Sequence, residues 1–121
     1  MKQKTDFLVI GSGLAGLSFA LKMADHGNVT ILSKVKSDHS NTYRAQGGIA
    51  AAISEEDSME NHMEDTLQAG VGLCKPEVVR NFVEQGPQRI KDLVQWGVEF
   101  DSDLHIEGAH SHRRVLHIKD H

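Results

Sequence analysis

The stretch FLVIGSGLAG, residues 7–16, decides the fold of this chain. Its first four residues are apolar and predict a buried strand, and leucines recur at helical spacing after it. Between strand and helix, Gly11, Gly13 and Gly16 form the pattern G-x-G-x-x-G, which in this context is typical of a dinucleotide site. In such a site the first glycine permits a tight turn, the second lets a pyrophosphate approach the backbone, and the third lets the helix pack closely against the strand.

A strand–turn–helix unit that binds nothing is the alternative interpretation of the same stretch. One glycine would suffice for a turn, whereas three lie here at the required offsets, so we favour a ligand site. The start of the helix would direct backbone N–H groups and the positive end of the helix dipole toward the phosphates.

The composition is that of an ordinary globular protein and excludes several functions. The 121 residues amount to about one small domain, with 39% hydrophobic and 25% charged residues. A net charge of -4 argues against nucleic-acid binding, and no apolar run approaches the length that spans a membrane. A single cysteine, Cys74, excludes an intrachain disulfide and favours a reducing compartment, so we expect a cytoplasmic protein.

The first third of the chain predicts the start of an α/β fold. We expect a strand over about residues 5–10, a helix over 14–26, a second and parallel strand over 29–32, and a polar loop over 34–44. Only one βαβ crossover is evident, whereas a complete dinucleotide-binding fold needs several. We therefore expect the chain to be part of a longer protein.

The middle of the chain predicts helices. Asp57 and Glu60 form a capping-box pattern, which indicates the start of a helix, with Met59 and Met63 on one face. The glycines at residues 70–72 should end this helix.

Two further helices and a strand are expected after it. Pro76 opens one helix, and Gly86-Pro87 predicts both its end and the start of another, since proline suits the first helical turn. The last helix should stop at Gly97, and residues 98–100 should form a short strand.

Two positions bear on which dinucleotide would bind. Sites for NAD usually place a carboxylate about 20 residues past the glycines, but Ser33 and Lys34 lie there. A serine can still bond a ribose hydroxyl, a lysine could favour NADP, and both residues could simply begin a solvated loop. A second glycine segment at residues 46–48 suggests a longer cofactor, although a glycine-rich turn would explain it as well.

Several segments together resemble one family. They are Ser33-Lys34, SNTYRAQGGIA at 40–50, HMEDT at 62–66, AGVGLC at 69–74 and EGAHSHRRVLH at 107–117. In this order they resemble the flavoprotein family of fumarate reductase, succinate dehydrogenase and L-aspartate oxidase. The resemblance covers nearly the whole chain from residue 5, and the last segment is most similar to the L-aspartate oxidase branch.

The resemblance implies an α/β fold, the N-terminal part of a Rossmann-type FAD-binding domain with a helical insertion. It divides the chain into a glycine-rich βαβ core with a flavin-facing segment (1–54), a helical segment (55–100) and the start of a substrate-facing segment (101–121). Gly11, Gly13 and Gly16 would face the pyrophosphate of FAD, Ser33 and Lys34 its adenosine end, and Thr42, Gln46, Gly47 and Gly48 its ribityl chain and flavin ring. The cofactor set implied by the resemblance is completed by Ser12, Ala15, Asn41 and Ala45.

Two positions discriminate within the family. Its succinate dehydrogenases and membrane-bound fumarate reductases carry a histidine, bonded covalently to the flavin, where this chain has Asn41. The resemblance therefore implies noncovalent FAD, as in L-aspartate oxidases. It also implies that Glu107 meets the substrate amino group; a solvated carboxylate is the ordinary alternative. Ala109, where the family pattern commonly has a second glycine, is a minor departure.

The resemblance further implies an activity for the longer protein. That activity is oxidation of L-aspartate to iminoaspartate, with reduced FAD reoxidised by oxygen or fumarate, in a route through quinolinate to NAD that makes quinolinate synthase a candidate partner. A soluble fumarate reductase-like flavoprotein and a non-catalytic nucleotide-binding fragment are the alternatives. We expect these 121 residues alone to catalyse nothing.

Five of the eight histidines lie between residues 105 and 121. His110 and His112 could share one strand face, and Glu107 or His117 could complete a zinc site with them. Arg113 and Arg114 would place two positive charges beside it, so we expect no metal there. These arginines could pair with a substrate carboxylate, with the flavin, or lie on the surface.

Overall fold

The computed structural model describes residues 2, 4–34, 40–45 and 48–119, which form two compact units, Met1–Gln46 and Gly47–His121. The described residues form four strands and four helices. In chain order they are β1 (Phe7–Ile10), α1 (Leu14–Met23), β2 (Val29–Leu32), α2 (Asn41–Arg44), β3 (Ile49–Ala50), α3 (Met59–Ala69), α4 (Pro76–Gln95) and β4 (Val115–Leu116). None of the helices described is both long and apolar enough to cross a membrane.

The first unit is the βαβ element that the glycine pattern predicts. Strands β1 and β2 pair in parallel, with Phe7 opposite Val29 and Ile10 opposite Leu32, and α1 lies between them in sequence. Val9 and Ala20 are buried where α1 packs against the strands. Helix α1 ends at Met23, three residues earlier than expected, and a turn over 24–26 leads into β2.

The second unit packs two helices with a small antiparallel sheet. Strand β3 pairs with β4, and the chain stays in register beyond it, since Ala51 N donates to the Arg114 carbonyl at 3.0 Å. Ala51, Ile90 and Leu116 form the buried core, flanked by half-buried Phe100. The expected strand over 98–100 reduces to one antiparallel bridge between Phe100 and Ile118.

The prediction that Gly86-Pro87 separates two helices is wrong. Helix α4 continues through both residues, although a proline inside a helix removes one hydrogen bond and costs about 3 kcal/mol. Val83 and Ile90, seven residues apart on one face of α4, are both buried on either side of the proline. Gly86 lies against the core, where an added Cβ would meet the Ala51 Cβ at 3.6 Å. Packing of one continuous apolar face therefore outweighs the local preference to break.

The predicted capping box at Asp57 and Glu60 is also wrong by one residue. Ser58 is the N-cap of α3, and its hydroxyl accepts from Asn61 N at 3.0 Å. The side chain of Asp57 is instead fully buried in an ion pair with Arg114. Helix α3 correspondingly buries His62 and Asp65, whereas Met59 on the predicted apolar face is exposed.

Candidate functional site

The glycine turn between β1 and α1 is built by two backbone constraints. Gly11 has φ 114°, a conformation that strongly favours glycine, and its N–H donates to the Leu32 carbonyl at 2.8 Å. Gly16 lies so close to the turn that an added Cβ would overlap the Gly11 carbonyl oxygen and come within 3.3 Å of Val9 Cγ1. These two glycines allow the short, tight turn between the end of β1 and the start of α1.

Gly13, unlike Gly16, is not tightly packed against the described residues around it. It is the N-cap of α1 with ordinary extended backbone, and the nearest atom to an added Cβ would be Thr42 Oγ1 at 3.4 Å. At Gly11 no atom of the described residues lies within 4 Å of an added Cβ. The backbone of the turn is thus open to a ligand at these glycines, as a pyrophosphate requires.

Two hydroxyl groups tie other predicted cofactor residues to this turn. Thr42 Oγ1 accepts from Leu14 N, in the first turn of α1, at 3.1 Å. Ser12 Oγ and Ser33 Oγ are hydrogen-bonded at 2.9 Å, which brings the end of β2 beside the turn. Lys34 follows Ser33 and is exposed. Ser33, directly after β2, therefore lies beside the turn that leads into α1.

The other predicted cofactor residues are placed as follows. Ala15, Asn41 and Ala45 are exposed, with Asn41 at the start of α2, and Gln46 and Gly47 lie outside the described residues. Gly48 belongs to the second unit, where an added Cβ would overlap the Leu116 carbonyl oxygen. Close packing against β4 thus requires a glycine at this position.

The second unit contains a buried charge cluster that the sequence does not predict. Arg114 is fully buried, and its guanidinium donates to both Asp57 carboxylate oxygens at 2.8 Å and to Asp65 Oδ2 at 2.9 Å. Asp65 Oδ2 also accepts from the Ser111 N–H and hydroxyl, each at 2.7 Å. We call Asp57, Asp65, Ser111 and Arg114 the Asp65 cluster.

The Asp65 cluster gives the two neighbouring arginines, Arg113 and Arg114, different surroundings. The Arg114 guanidinium is occupied by carboxylates of its own unit and does not lie on the surface. Arg113 is exposed, with Nη1 donating to the Leu104 carbonyl at 3.2 Å. No local pattern could reveal the Asp65 cluster, because Asp57 and Asp65 lie 57 and 49 residues before Arg114.

The ionisation of the cluster follows from its contacts. Desolvation by burial raises the pKa of Asp65, but the Ser111 hydrogen bonds and the charge of Arg114 outweigh it, so the pKa lies below its ordinary value. Burial, followed by the positive charge of Arg114, lowers the pKa of His62. At neutral pH the cluster therefore holds an ionised Asp65 beside a neutral imidazole.

Glu107 is half-exposed and has a defined partner. Its Oε1 accepts from His117 Nε2 at 2.7 Å, and its side chain is 45% exposed. The His117 ring in turn packs edge-on against His105, with ring centroids 4.9 Å apart. The carboxylate is therefore oriented while one side remains open to solvent.

Three further histidines lie at or beside the Asp65 cluster. His110 Nδ1 lies 3.4 Å from Arg114 Nη1, its ring centroid is 5.4 Å from that of His62, and His112 Nδ1 bonds the Ser111 hydroxyl at 2.8 Å. Among the side chains described, no three histidine, cysteine or acidic groups are arranged to hold a metal ion.

A parallel βαβ unit whose helix starts at an open glycine turn defines a dinucleotide-binding domain. Comparison with known proteins makes the class specific, since the family model for an FAD binding domain matches residues 6–121. The chain therefore belongs to the family of FAD-binding domains, and its cofactor is FAD. The fold class and the family predicted from the sequence are confirmed.

Individual relatives are similar along almost the whole chain. It is 48% identical over 121 residues to L-aspartate oxidase 2-a, chloroplastic, of Nicotiana tabacum, with 95% of this chain and 19% of the relative covered. It is 45% identical over 130 residues to L-aspartate oxidase of Vibrio cholerae, with 98% and 24% covered. A structure of E. coli quinol fumarate reductase FrdA, carrying one substitution, matches with TM-score 0.83 at 30% identity, covering 93% of this chain and 21% of that one. The chain thus spans about a fifth to a quarter of the length of these proteins.

Proposed function

We propose that the protein to which this chain belongs oxidises L-aspartate to iminoaspartate with FAD. The observation that carries the proposal is the identity of 48% and 45% to plant and bacterial relatives named L-aspartate oxidase. All 121 residues would form part of the FAD-binding domain, with the βαβ core and flavin-facing segment in 1–54, the helical segment in 55–100 and the start of the substrate-facing segment in 101–121. The 121 residues alone would catalyse nothing, because catalysis needs groups held around the reacting atoms and exclusion of water.

The residues of the glycine turn would hold the cofactor. The backbone N–H groups of the turn would bind the pyrophosphate, and Ser33 and Lys34 would lie toward the adenosine end. Thr42 and the glycine segment that ends at Gly48 would lie toward the ribityl chain and ring. When bound, FAD supplies a hydride acceptor for the substrate Cα, while the protein supplies binding and orientation.

The cofactor would be held without a covalent bond, because the Asn41 amide cannot form the linkage that a histidine forms. Acid precipitation of the parent holoprotein tests this. We expect the flavin fluorescence in the supernatant. Fluorescence that stays with the precipitated protein would contradict the proposal.

Glu107 would recognise the substrate amino group. Its carboxylate carries the charge that attracts an ammonium group, and the same charge disfavours a dicarboxylate that lacks an amine. The hydrogen bond from His117 orients the carboxylate, and its exposed side leaves room for a second partner. A charge-assisted bond in a desolvated site is worth about 1.5–3 kcal/mol.

Glu107→Gln in the parent enzyme should therefore lower kcat/KM for aspartate by about tenfold or more. Fumarate reduction should fall less, because fumarate has no amine to recognise. Glu99→Gln, the same change at an exposed position of the same unit, is the matched control and should leave both reactions unchanged. Equal losses for aspartate and fumarate in Glu107→Gln would reject this role.

The finer steps are proposed together. Reduced FAD would be reoxidised by oxygen or fumarate, and iminoaspartate would pass to quinolinate synthase for NAD synthesis in the cytoplasm. Aspartate-dependent peroxide formation by the parent protein in air, replaced by succinate formation when fumarate is supplied without oxygen, would be the expected pattern.

A soluble fumarate reductase-like flavoprotein is the second candidate. The likeness to the quinol fumarate reductase structure, with TM-score 0.83, favours it. Anaerobic bleaching of the bound flavin decides between the two. We expect aspartate to reduce the flavin and succinate not to; the reverse would favour the second candidate.

A further inference from the structure

The segment that carries Glu107 is a loop closed at its base by β4. His105 N donates to the Val115 carbonyl at 2.9 Å, and Arg114 N donates back to the His105 carbonyl at 3.1 Å. Residues 106–113 therefore project from a two-stranded base. Within them His110 N donates to the Glu107 carbonyl at 3.2 Å. The position of Glu107 thus depends on how this loop is anchored.

Asp65, on helix α3, anchors the far side of the loop. One of its oxygens, Oδ2, receives three hydrogen bonds, two from Ser111 at 2.7 Å and one from Arg114 at 2.9 Å. A carboxylate that accepts several such bonds is held firmly in its ionised form. Ser111 lies within the loop and Arg114 at its base, so a single carboxylate fixes both points.

The part of the loop that carries Glu107 is held by a separate hydrogen bond. The Glu107 carboxylate accepts from His117, which lies directly after β4. Arg114, directly before β4, is in turn held by Asp57 through two hydrogen bonds of 2.8 Å. Both ends of the loop are therefore tied to one short strand, and Asp65 ties that strand and the loop to α3.

We propose that the Asp65 cluster positions Glu107 for the substrate amine, with Asp65 acting through Ser111 as a positioning residue. The inference rests on the function proposed above. Asp65 itself touches no substrate in this scheme. Its effect would be to restrict the loop to the arrangement in which Glu107 keeps its bond to His117 and presents its open side.

Ser111→Ala in the parent holoenzyme is the sharpest test. The variant removes the hydrogen bonds of the hydroxyl to Asp65 and His112 and leaves the backbone N–H bond and the Arg114 pair in place, so the fold should persist. The KM for aspartate should rise by about two- to tenfold, the effect of losing the hydroxyl bond to Asp65, with little change in kcat. The KM for fumarate should change less. Ser111→Thr retains a hydroxyl and should restore the wild-type KM.

Hydrogen exchange of the same proteins supplies a readout that does not use activity. Amides of residues 106–113 should exchange faster in Ser111→Ala than in the wild type, while those of α4 should not change. Ser102→Ala, in an exposed turn, removes a hydroxyl from another loop of this unit and should resemble the wild type in every measurement.

The outcomes separate this inference from the proposed function. A wild-type protein that does not oxidise aspartate would contradict the function, and exchange at residues 106–109 would still decide whether the cluster fixes the loop. Unchanged exchange there in Ser111→Ala would overturn the inference. So would faster exchange with an unchanged KM for aspartate in an active enzyme, because the loop would then be anchored without consequence for Glu107.

Discussion

Replacing Arg114 by methionine should destabilise the second unit more than any other arginine substitution within the described residues. The side chain is fully buried and makes three hydrogen bonds of 2.8–2.9 Å to two carboxylates. Removal of one partner from a buried ion pair leaves uncompensated charge and costs about 3–5 kcal/mol. Arg114→Met strands both Asp57 and Asp65, so we expect a loss within that range, a large part of the total stability of an ordinary domain.

Arg80→Met is the matched control. Arg80 lies on α4, its side chain is 59% exposed, and its ion pair with Glu84 is 3.6 Å long. An exposed pair of this kind contributes less than about 1 kcal/mol. The two variants lose the same charge and gain the same side chain, so the difference between them isolates burial.

The assay is urea denaturation of the parent protein, read by hydrogen exchange of the peptides that contain β3 and β4. Adding Asp57→Asn and Asp65→Asn to Arg114→Met should recover part of the loss, because the stranded charges are then gone. A loss in Arg114→Met no larger than that in Arg80→Met would refute the claim that this pair holds the unit together.

Two further predictions concern the glycine turn and acid stability. Gly13→Ala should weaken FAD binding without destabilising the apoprotein, since among the described residues its added Cβ meets only Thr42 Oγ1, at 3.4 Å. Gly16→Ala should lower both FAD affinity and the stability of the apoprotein, because its Cβ overlaps the Gly11 carbonyl. Flavin titration and thermal denaturation of the apoprotein measure the two effects, and equal loss of stability in the two variants would contradict the distinction. The pKa of Asp65 is lower in the folded protein than the ordinary value of 3.8, so its contribution to the free energy of unfolding is fully present above about pH 4 and is lost as pH falls below it. Urea midpoints measured between pH 7 and pH 3 should therefore fall more steeply in the wild type than in Asp65→Asn. Parallel profiles of the two proteins would contradict this.

Local patterns predicted the first unit well. A strand, a glycine turn and a helix were expected and are observed, and the second strand runs parallel to the first over Val29–Leu32, as expected. Each of these elements depends on neighbours within a few residues. The spacing of Gly11 and Gly16 reflects contacts inside the same turn, so the sequence contains the whole constraint.

Predictions failed where a local structural preference competes with contacts to residues that are distant in the sequence. Asp57 and Ser58 can both cap a helix, and the buried guanidinium of Arg114 takes Asp57 and leaves the cap to Ser58. Gly86 and Pro87 both favour a break, and core packing around Val83 and Ile90 keeps α4 continuous. In both cases the free energy gained by burying groups that are distant in the sequence exceeds a local preference of a few kcal/mol.

The sequence by itself determined that the chain begins with a dinucleotide-binding βαβ unit, because a glycine turn at a helix N-terminus is a local structure. Only the tertiary structure decided the surroundings of Glu107. Asp65 and Arg114 are 49 residues apart, and their partnership exists because the fold places Asp65 of α3 beside the residue that precedes β4 and excludes water from both charges. A buried charge requires a partner, but its identity depends on which segments the fold brings into contact.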